Sequence, residues 1–391
     1  MGSLKIGLLA SLILIIYNIF MLFYITNSLI VKEEDERYKQ IRKAIRNVLT
    51  GYSENKLLLM ADFEVLEWML LKFENDEDLI SPIKYLYNNF SLLVVPDDIC
   101  CYFEIVSDTV PESSRIEDNH TIYSISYLVL QDSISTQKCA LIGEDYNDCI
   151  FYSNVLKWYQ QYEGQKVCCD FQYEPGNGGR MDAKIAEYAH QYRPAFALVD
   201  TDDKYEGQIH VEKTTRQKSE SASKNHKCTF WLEVLPVHEV ENLIPLNYID
   251  KLNWNDTNKF KKRSLDYLRC NCHTEEILKY FDFKKGIHYR DVRADRSFCR
   301  LAERCFYLNK DLSDKQSFDE YLSKMSADSD VVYPEVRENT LSQILVLIRS
   351  EKDFVKKYPP ELLNFQHDCW LSIGKLMLAW GCVRSKEALN V

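Results

Sequence analysis

A mostly parallel sheet flanked by helices, an α/β fold, is what this chain's sequence predicts. Strand-like and helix-like segments alternate between residues 138 and 250, the order that parallel strands joined by crossover helices produce. The run "AFALVD" at residues 195–200 is almost wholly apolar, as a strand covered on both faces must be. Between such runs, apolar residues recur at helical spacing, as at Phe151, Val155 and Tyr159.

Taken in order, residues 6–31 carry no charge. As one helix they would reach about 39 Å, more than the roughly 30 Å hydrocarbon core of a bilayer. Only Lys5 precedes the run, whereas Lys32, Arg37, Lys39, Arg42, Lys43 and Arg46 come after it. The positive-inside bias then predicts a single transmembrane helix with everything C-terminal to it in the cytoplasm. A buried oligomerisation helix is the other reading. Residues 33–89 show a helical pattern through Ile41, Ile45, Val48 and Leu49, then Phe63, Leu66, Met69 and Leu70. Short alternating runs at 92–142 ("CYFEIV", "TIYSISYLVL", "KCALIG") predict strands.

A helix is expected over about 148–162, a strand at "KVCCDFQY", a turn at "PGNGG" (175–179) and a helix over 181–192. "AFALVD" is the next strand, the polar stretch 204–227 reads as a mobile loop, and "CTFWLEVL" is a further strand leading into "PVHEVENLIP". The predicted organisation is a transmembrane helix (1–31), a helical and β region (32–137), an α/β core (138–250) and a basic, mainly helical C-terminal region (251–391).

Composition narrows the function. The 391 residues are 46% hydrophobic and 27% charged, enough apolar material for two or three domains. A net charge of −11 argues against non-specific coating of nucleic acid. The 13 cysteines form no even framework, which suits a reducing compartment. "CNCH" at 270–273, even with Cys299 and Cys305, matches no ordinary zinc-finger spacing.

Carboxylates recur where strands end. Glu144 closes "KCALIG", and Asp148 lies four residues on. Asp200 closes "AFALVD", with Asp202 two residues later, and Glu239 and Glu241 come after "CTFWLEVL". The C-terminal ends of parallel strands share one sheet edge, so these groups can converge. Converging carboxylates repel unless they are protonated or bridged by cations, and hard oxygen ligands suit Mg²⁺ or Mn²⁺. A place in a helix's first turn, where acidic residues complement the macrodipole, accounts for Asp145 and for Asp148 more simply, and a lone Asp-x-Asp is commonly a solvated turn.

Glu144, Asp148 and the subsequent Phe151-Tyr152 resemble the "EGxxDxxFY" opening of stand-alone TOPRIM domains, although the family often has glycine where Asp145 stands. "LVDTDDKY" (198–205) is similar to the family's "DxD" strand, and "HEVENLIP" (238–245) to the "EIEN" segment of nucleases related to overcoming-lysogenisation-defect proteins. "YFDFKKGI" (280–287) is similar to a downstream "DxKxG" segment. The resemblance covers about 138–290. It implies divalent metal (Mg²⁺ or Mn²⁺) on Glu144, Asp148, Asp200, Asp202 and Glu241, with Glu239 behind them. It also implies a lysine near the scissile phosphate, Lys284 in preference to Lys285. The catalytic set is then Glu144, Asp200, Asp202 and Lys284. The implied activity is metal-dependent cleavage of DNA or RNA, with phage defence as the setting.

Residues 251–310 hold 15 Lys and Arg against 8 Asp and Glu, a local basic excess on an acidic chain that predicts a nucleic-acid surface. Tyr267, Tyr280, Phe281, Tyr289 and Phe298 are interleaved there and could stack bases, although core packing also accounts for such aromatics. No Walker loop is present, so NTP-driven control would need a separate ATPase partner. The competing expectation is a non-catalytic, membrane-tethered sensor or partner-binding protein on the same fold.

Overall fold

The computed structural model describes residues 21–90, 101–117, 120–165, 167–177, 179–204, 208, 213–252 and 278–383, the last span with breaks at 295–298, 301, 304–305, 308–312, 328–329, 334, 337–338 and 353. Within it, the described part of the uncharged N-terminal run (residues 21–31) holds a four-residue strand and a short 3₁₀ turn, Asn27–Leu29, rather than a continuous helix. Strand β1 (Leu22–Ile25) pairs in parallel with β2 (Leu58–Ala61) on one side and β3 (Cys101–Val106) on the other. The single helix expected over 6–31 is therefore corrected from residue 21 onward, and residues 1–20 lie outside the described set. An uncharged apolar run suits a strand buried in a parallel sheet as well as it suits a bilayer helix. Here Phe23, Ile25 and Leu29 are fully buried. No helix among the described residues is long and apolar enough to cross a membrane.

The first sheet has the order β2-β1-β3-β5-β4, where β4 is Glu112–Glu117 and β5 is His120–Ser126. Only β4 is antiparallel to its neighbour. Helices α1 (Tyr38–Ser53), α2 (Phe63–Lys72) and α3 (Glu77–Asn88) supply the connections. The helical pattern read across 33–89 is thus broken by β2. On α1 the buried stripe is Ile41, Ile45, Val48 and Leu49, as the spacing predicts.

The second sheet is wholly parallel, in the order β10-β9-β6-β8. Its members are β6 (Ala140–Gly143), β8 (Gln172–Pro175), β9 (Ala195–Val199) and β10 (Phe230–Val234), with α4 (Tyr146–Tyr162), α5 (Met181–Ala189) and α6 (Thr215–Ala222) between them. The sequence "KVCCDFQY" is not one strand. It divides into β7 (Cys168–Cys169) and β8, and β7 pairs instead with the C-terminal β13 (Cys382–Val383). The stretch read as a mobile loop contains α6. A reciprocal cap starts that helix: Thr214 Oγ1 accepts from Gln217 N–H, and Gln217 Oε1 accepts from Thr214 N–H. That is the Thr-x-x-Gln capping box, and it outweighs the helix's polar composition.

Both faces of the second sheet are covered. Ala140, Ile142, Ala197 and Val199 pack with Met181 and Ile185 of α5, while Leu141, Phe196 and Leu198 join the main core. On that second side α4 lies against α12 (Asn364–Gly381), the longest described helix of the C-terminal part. Their approach is close because residue 374 has no side chain: a Cβ there would sit 2.3 Å from Tyr159 Cβ. Further along α12, Trp380 stacks on Phe196 at 6.4 Å and meets the edge of Phe103 at 6.5 Å. Met21 N–H donates to Ala379 O at 3.1 Å. One helix thus ties the two sheets into a shared core.

The rest of the C-terminal part comprises α7 (Leu246–Ile249), α8 (Tyr289–Ala294), α9 (Phe318–Ser323), α10 (Thr340–Ser350), α11 (Phe354–Lys357) and the antiparallel pair β11 (Ile287–His288) and β12 (Val331–Tyr333).

Candidate functional site

From β6 the chain moves to β8 on one side, then returns to place β9 and β10 on the other. Neighbouring strands β6 and β9 therefore send their connections in opposite directions. At such a switch point an open α/β sheet leaves a crevice outside its C-terminal strand ends. Glu144 comes directly after β6 and Asp200 directly after β9, so the two carboxylates flank that crevice.

Each is delivered by specific local structure. Gly143 ends β6 where a Cβ would meet Cys149 Sγ at 3.1 Å, Asp148 Cβ at 3.2 Å and Asp145 O at 3.3 Å; this lets α4 begin immediately. Asp145 is the N-cap of α4: its Oδ1 accepts from Asn147 N–H at 2.8 Å, and Asp148 Oδ2 accepts from Asp145 N–H at 2.8 Å. The first-turn reading holds for Asp148, Asp145 stands one step earlier as the cap itself, and Asp148 is buried in the same group as Glu144. Beyond β9, Thr201 N–H and Asp202 N–H donate to Val237 O and His238 O. Asp202 has a left-handed backbone, φ +59°, a strained choice for a non-glycine residue. Its Oδ2 accepts from Thr215 N–H at the start of α6.

Glu239 precedes a short 3₁₀ turn, Val240–Leu243, and Glu241 lies within it. Asn242 fixes it: its side-chain oxygen accepts from Glu239 N–H, and its amide donates to Leu278 O and Phe281 O. Gln366 of α12 donates to the carbonyls of Asn242 and Ile244, and Trp370 donates to Leu243 O. The segment "FDFKKG" closes the site. Asp282 Oδ1 accepts from the amides of Lys284 and Lys285, and Gly286 (φ +68°) ends the turn. Lys284 Nζ then lies 3.1 Å from both Glu239 Oε2 and Glu241 Oε2. Lys285 is exposed, and it is Lys284 that meets these carboxylates.

Burial and like charge set the electrostatics. Burial first, then the charges of Glu144, Asp202, Asp148 and Glu239, push Asp200 well above the carboxylate range. Glu144 is raised by burial and then by Asp202, with Glu241 adding to it. Asp148 and Glu241 are each pushed up to about 7, by burial foremost; Glu239 adds to the effect on Glu241, and Glu241 and Glu144 add to that on Asp148. For Lys284, burial works against the charge, but Glu239 and Glu241 prevail and hold its ammonium above its ordinary value. The structure therefore brings Glu144, Asp148, Asp200, Asp202, Glu241 and Lys284 into one interacting group. Glu144 Oε1 and Asp200 Oδ1 are buried with no hydrogen-bond partner, a costly state for a carboxylate.

Sequence reasoning did not single out His238 or Asp282. With Glu239 they form a group whose ligand atoms all lie within 4.8 Å of one another, a cluster that could hold a metal ion. Its oxygens already have partners, however. Glu239 Oε1 accepts from Phe283 N–H, and Asp282 takes two backbone amides and faces His238 Nε2 at 3.5 Å. Burial would raise Asp282, but the hydrogen bond and charge of His238 and the Lys285 amide hold it below the usual range. This cluster orients the loop that carries Lys284; His238 Nδ1 is its one buried atom without a hydrogen-bond partner, and the carboxylate oxygens with neither a hydrogen bond nor an ion pair lie on Glu144 and Asp200. The adjacency of His238 to Glu239 and the place of Asp282 at the head of the "DxKxG" segment were the signals in the sequence.

Of the zinc candidates, Cys270, Cys272, His273 and Cys305 lie outside the described residues, as do all of residues 253–277 of the basic stretch 251–310. Comparison with protein-family models, with curated proteins and with solved structures gives no match for this chain.

Proposed function

We propose that the chain is a divalent-metal-dependent phosphodiesterase of TOPRIM type that cleaves DNA or RNA. The observation that carries the reading is the switch-point crevice, where Glu144 and Asp200 each present a buried carboxylate oxygen with no protein partner, inside a group of like charges. Oxygen donors of this kind fit Mg²⁺ or Mn²⁺. Glu144, Asp200 and Asp202 would hold the metal, with Asp148 and Glu241 completing the set. A bound cation of this class lowers the pKa of water and neutralises charge on phosphoryl oxygens.

The protein's own groups do the rest. Asp202 is held by Thr215 N–H, and Asp148 is anchored through the helix cap, so both carboxylates are pre-positioned. Lys284 stands at the exposed rim of the group, where its ammonium stabilises charge developing on a phosphate oxygen once the carboxylates are otherwise neutralised. Lys204, which pairs with Asp291 at 3.2 Å, and the exposed Lys285 add positive charge around the same mouth for a phosphate backbone to track. The phage-defence setting and an ATPase partner belong to the same proposal through the sequence resemblance.

The test is cleavage of DNA, tRNA and rRNA by the purified chain with Mn²⁺, Mg²⁺ or EDTA. Glu144→Ala and Asp200→Ala should each abolish metal-dependent cleavage, while the metal-free melting temperature holds or rises because repulsion is relieved. An active Asp200→Ala protein overturns the metal assignment. The alternative, a non-catalytic partner-binding protein, draws on Lys284 already neutralising Glu239 and Glu241. It predicts no cleavage in any metal and no metal-induced rise in melting temperature.

A further inference from the structure

The first sheet repeats the topology of the second. From β1 the chain goes to β2 on one side and then to β3 on the other, so β1 and β3 form a second switch point. An open cleft of about 820 Å³ lies there, within the size range of small-molecule sites. The segments just past three strand ends line it: Thr26, Asn27 and Ser28 after β1, Asp62 after β2, and Ser107 and Asp108 after β3. The wall comes from alternate positions of the strands themselves, Tyr24, Tyr102, Glu104 and Ser124. Their neighbours Phe23, Phe103, Ile105 and Ile125 face the core.

These loops are pre-organised. Asp62 accepts from Tyr24 Oη and from Asn27 N–H, both at 2.7 Å. Ser28 Oγ accepts from Ser107 N–H at 3.2 Å and shares a 2.7 Å hydrogen bond with Thr26 Oγ1, which also bonds Ile105 O. Arg115 is held by Glu104 through two 2.8 Å contacts. Core packing does not require a row of carboxylates and hydroxyls tied together across three strand ends.

We propose that this cleft is a binding site for a nucleoside, separate from the acidic centre and independent of the nuclease reading. Three features select the class. The lining carries Asp62, Glu104 and Asp108 against Arg115 alone, a net negative mouth that disfavours a phosphate. Among the lining residues there is no glycine-rich turn, and β1 leads into a three-residue 3₁₀ turn, Asn27–Leu29, rather than a helix N-terminus. In doubly wound sheets an acidic residue near the switch point takes a ribose hydroxyl, and each Asp62 oxygen, which accepts one hydrogen bond in the protein, has a second lone pair for such a donor. Tyr24 and Tyr102, with ring centroids 6.2 Å apart, offer the aromatic surface on which a base packs.

The experiment is isothermal titration of the full chain with adenosine, guanosine, cytidine and uridine, each beside its 5′-monophosphate and ribose alone. At least one nucleoside should bind, and its 5′-monophosphate should bind at least tenfold more weakly. Ser28→Trp, which fills the cleft from an exposed loop position, should abolish the signal, and Glu104→Gln should weaken it about tenfold. Both variants should melt within a few degrees of the parent and keep any nuclease activity. Failure of all four nucleosides at millimolar concentration, equal or tighter binding of a monophosphate, or binding that survives Ser28→Trp in a folded protein overturns the assignment. Loss of nuclease activity in Asp200→Ala bears only on the other site.

Discussion

Asp148→Asn should stabilise the metal-free protein at neutral pH. In the fold Asp148 keeps its proton up to about 7, against an ordinary value of 3.8. An acid raised in this way contributes its full stability below about pH 4 and loses it as pH rises to about 7, because the unfolded chain binds fewer protons across that window. Each tenfold change in proton affinity corresponds to about 1.4 kcal/mol, so the ceiling for this one group is about 4 kcal/mol. Sharing of protons with Glu144 and Glu241 reduces the expected gain to about 2 kcal/mol. Asparagine retains an oxygen to accept Asp145 N–H, so the cap of α4 survives. In EDTA at pH 7.5 the variant should melt roughly 2–3 °C above the parent, and at pH 3.5 the two should coincide. Mg²⁺ should then raise the parent more than the variant. A variant that melts below the parent at pH 7.5 would refute the reasoning: Asp148 would then be an ionised cap whose charge complements the helix.

Lys284→Ala should slow cleavage on the order of 100-fold and tighten metal binding by vacating Glu239 and Glu241, whereas Lys285→Ala should have a much smaller effect on cleavage; the reverse order would shift the assignment by one residue. Gly374→Ala should destabilise the protein by about 1–3 kcal/mol through its clash with Tyr159, measured by urea unfolding without metal. Asn242→Ala should cost about 2 kcal/mol or more, since it leaves the buried carbonyls of Leu278 and Phe281 without their donor, and it should lower cleavage by displacing Glu239 and Glu241. Any attachment to a membrane through the uncharged run would have to rest on residues 6–20, which would reach about 22 Å as one helix against a hydrocarbon core of roughly 30 Å. Deleting residues 1–20 should move the protein out of the membrane fraction, and an unchanged distribution removes the anchor.

What the amino-acid order determined by itself is local. The spacing of Ile41, Ile45, Val48 and Leu49 on α1, the uniform apolarity of β9 and the acidic start of α4 are each patterns written in a few neighbouring residues. The Thr214–Gln217 capping box was equally local, although the surrounding polar residues masked it. The tertiary structure decided what depends on pairing across the chain. The run containing Phe23 and Ile25 is compatible with a bilayer helix or a central strand, and only partners near residues 58 and 103 choose between them. Glu144 and Asp200 could each be placed at a strand end from sequence. That their strands are neighbours at a switch point is a property of strand order, and burial of Asp200 Oδ1 without a partner results from that order. The same cause brought Asp282 under His238, because hydrogen bonds between residues more than forty apart leave no periodic trace in the sequence.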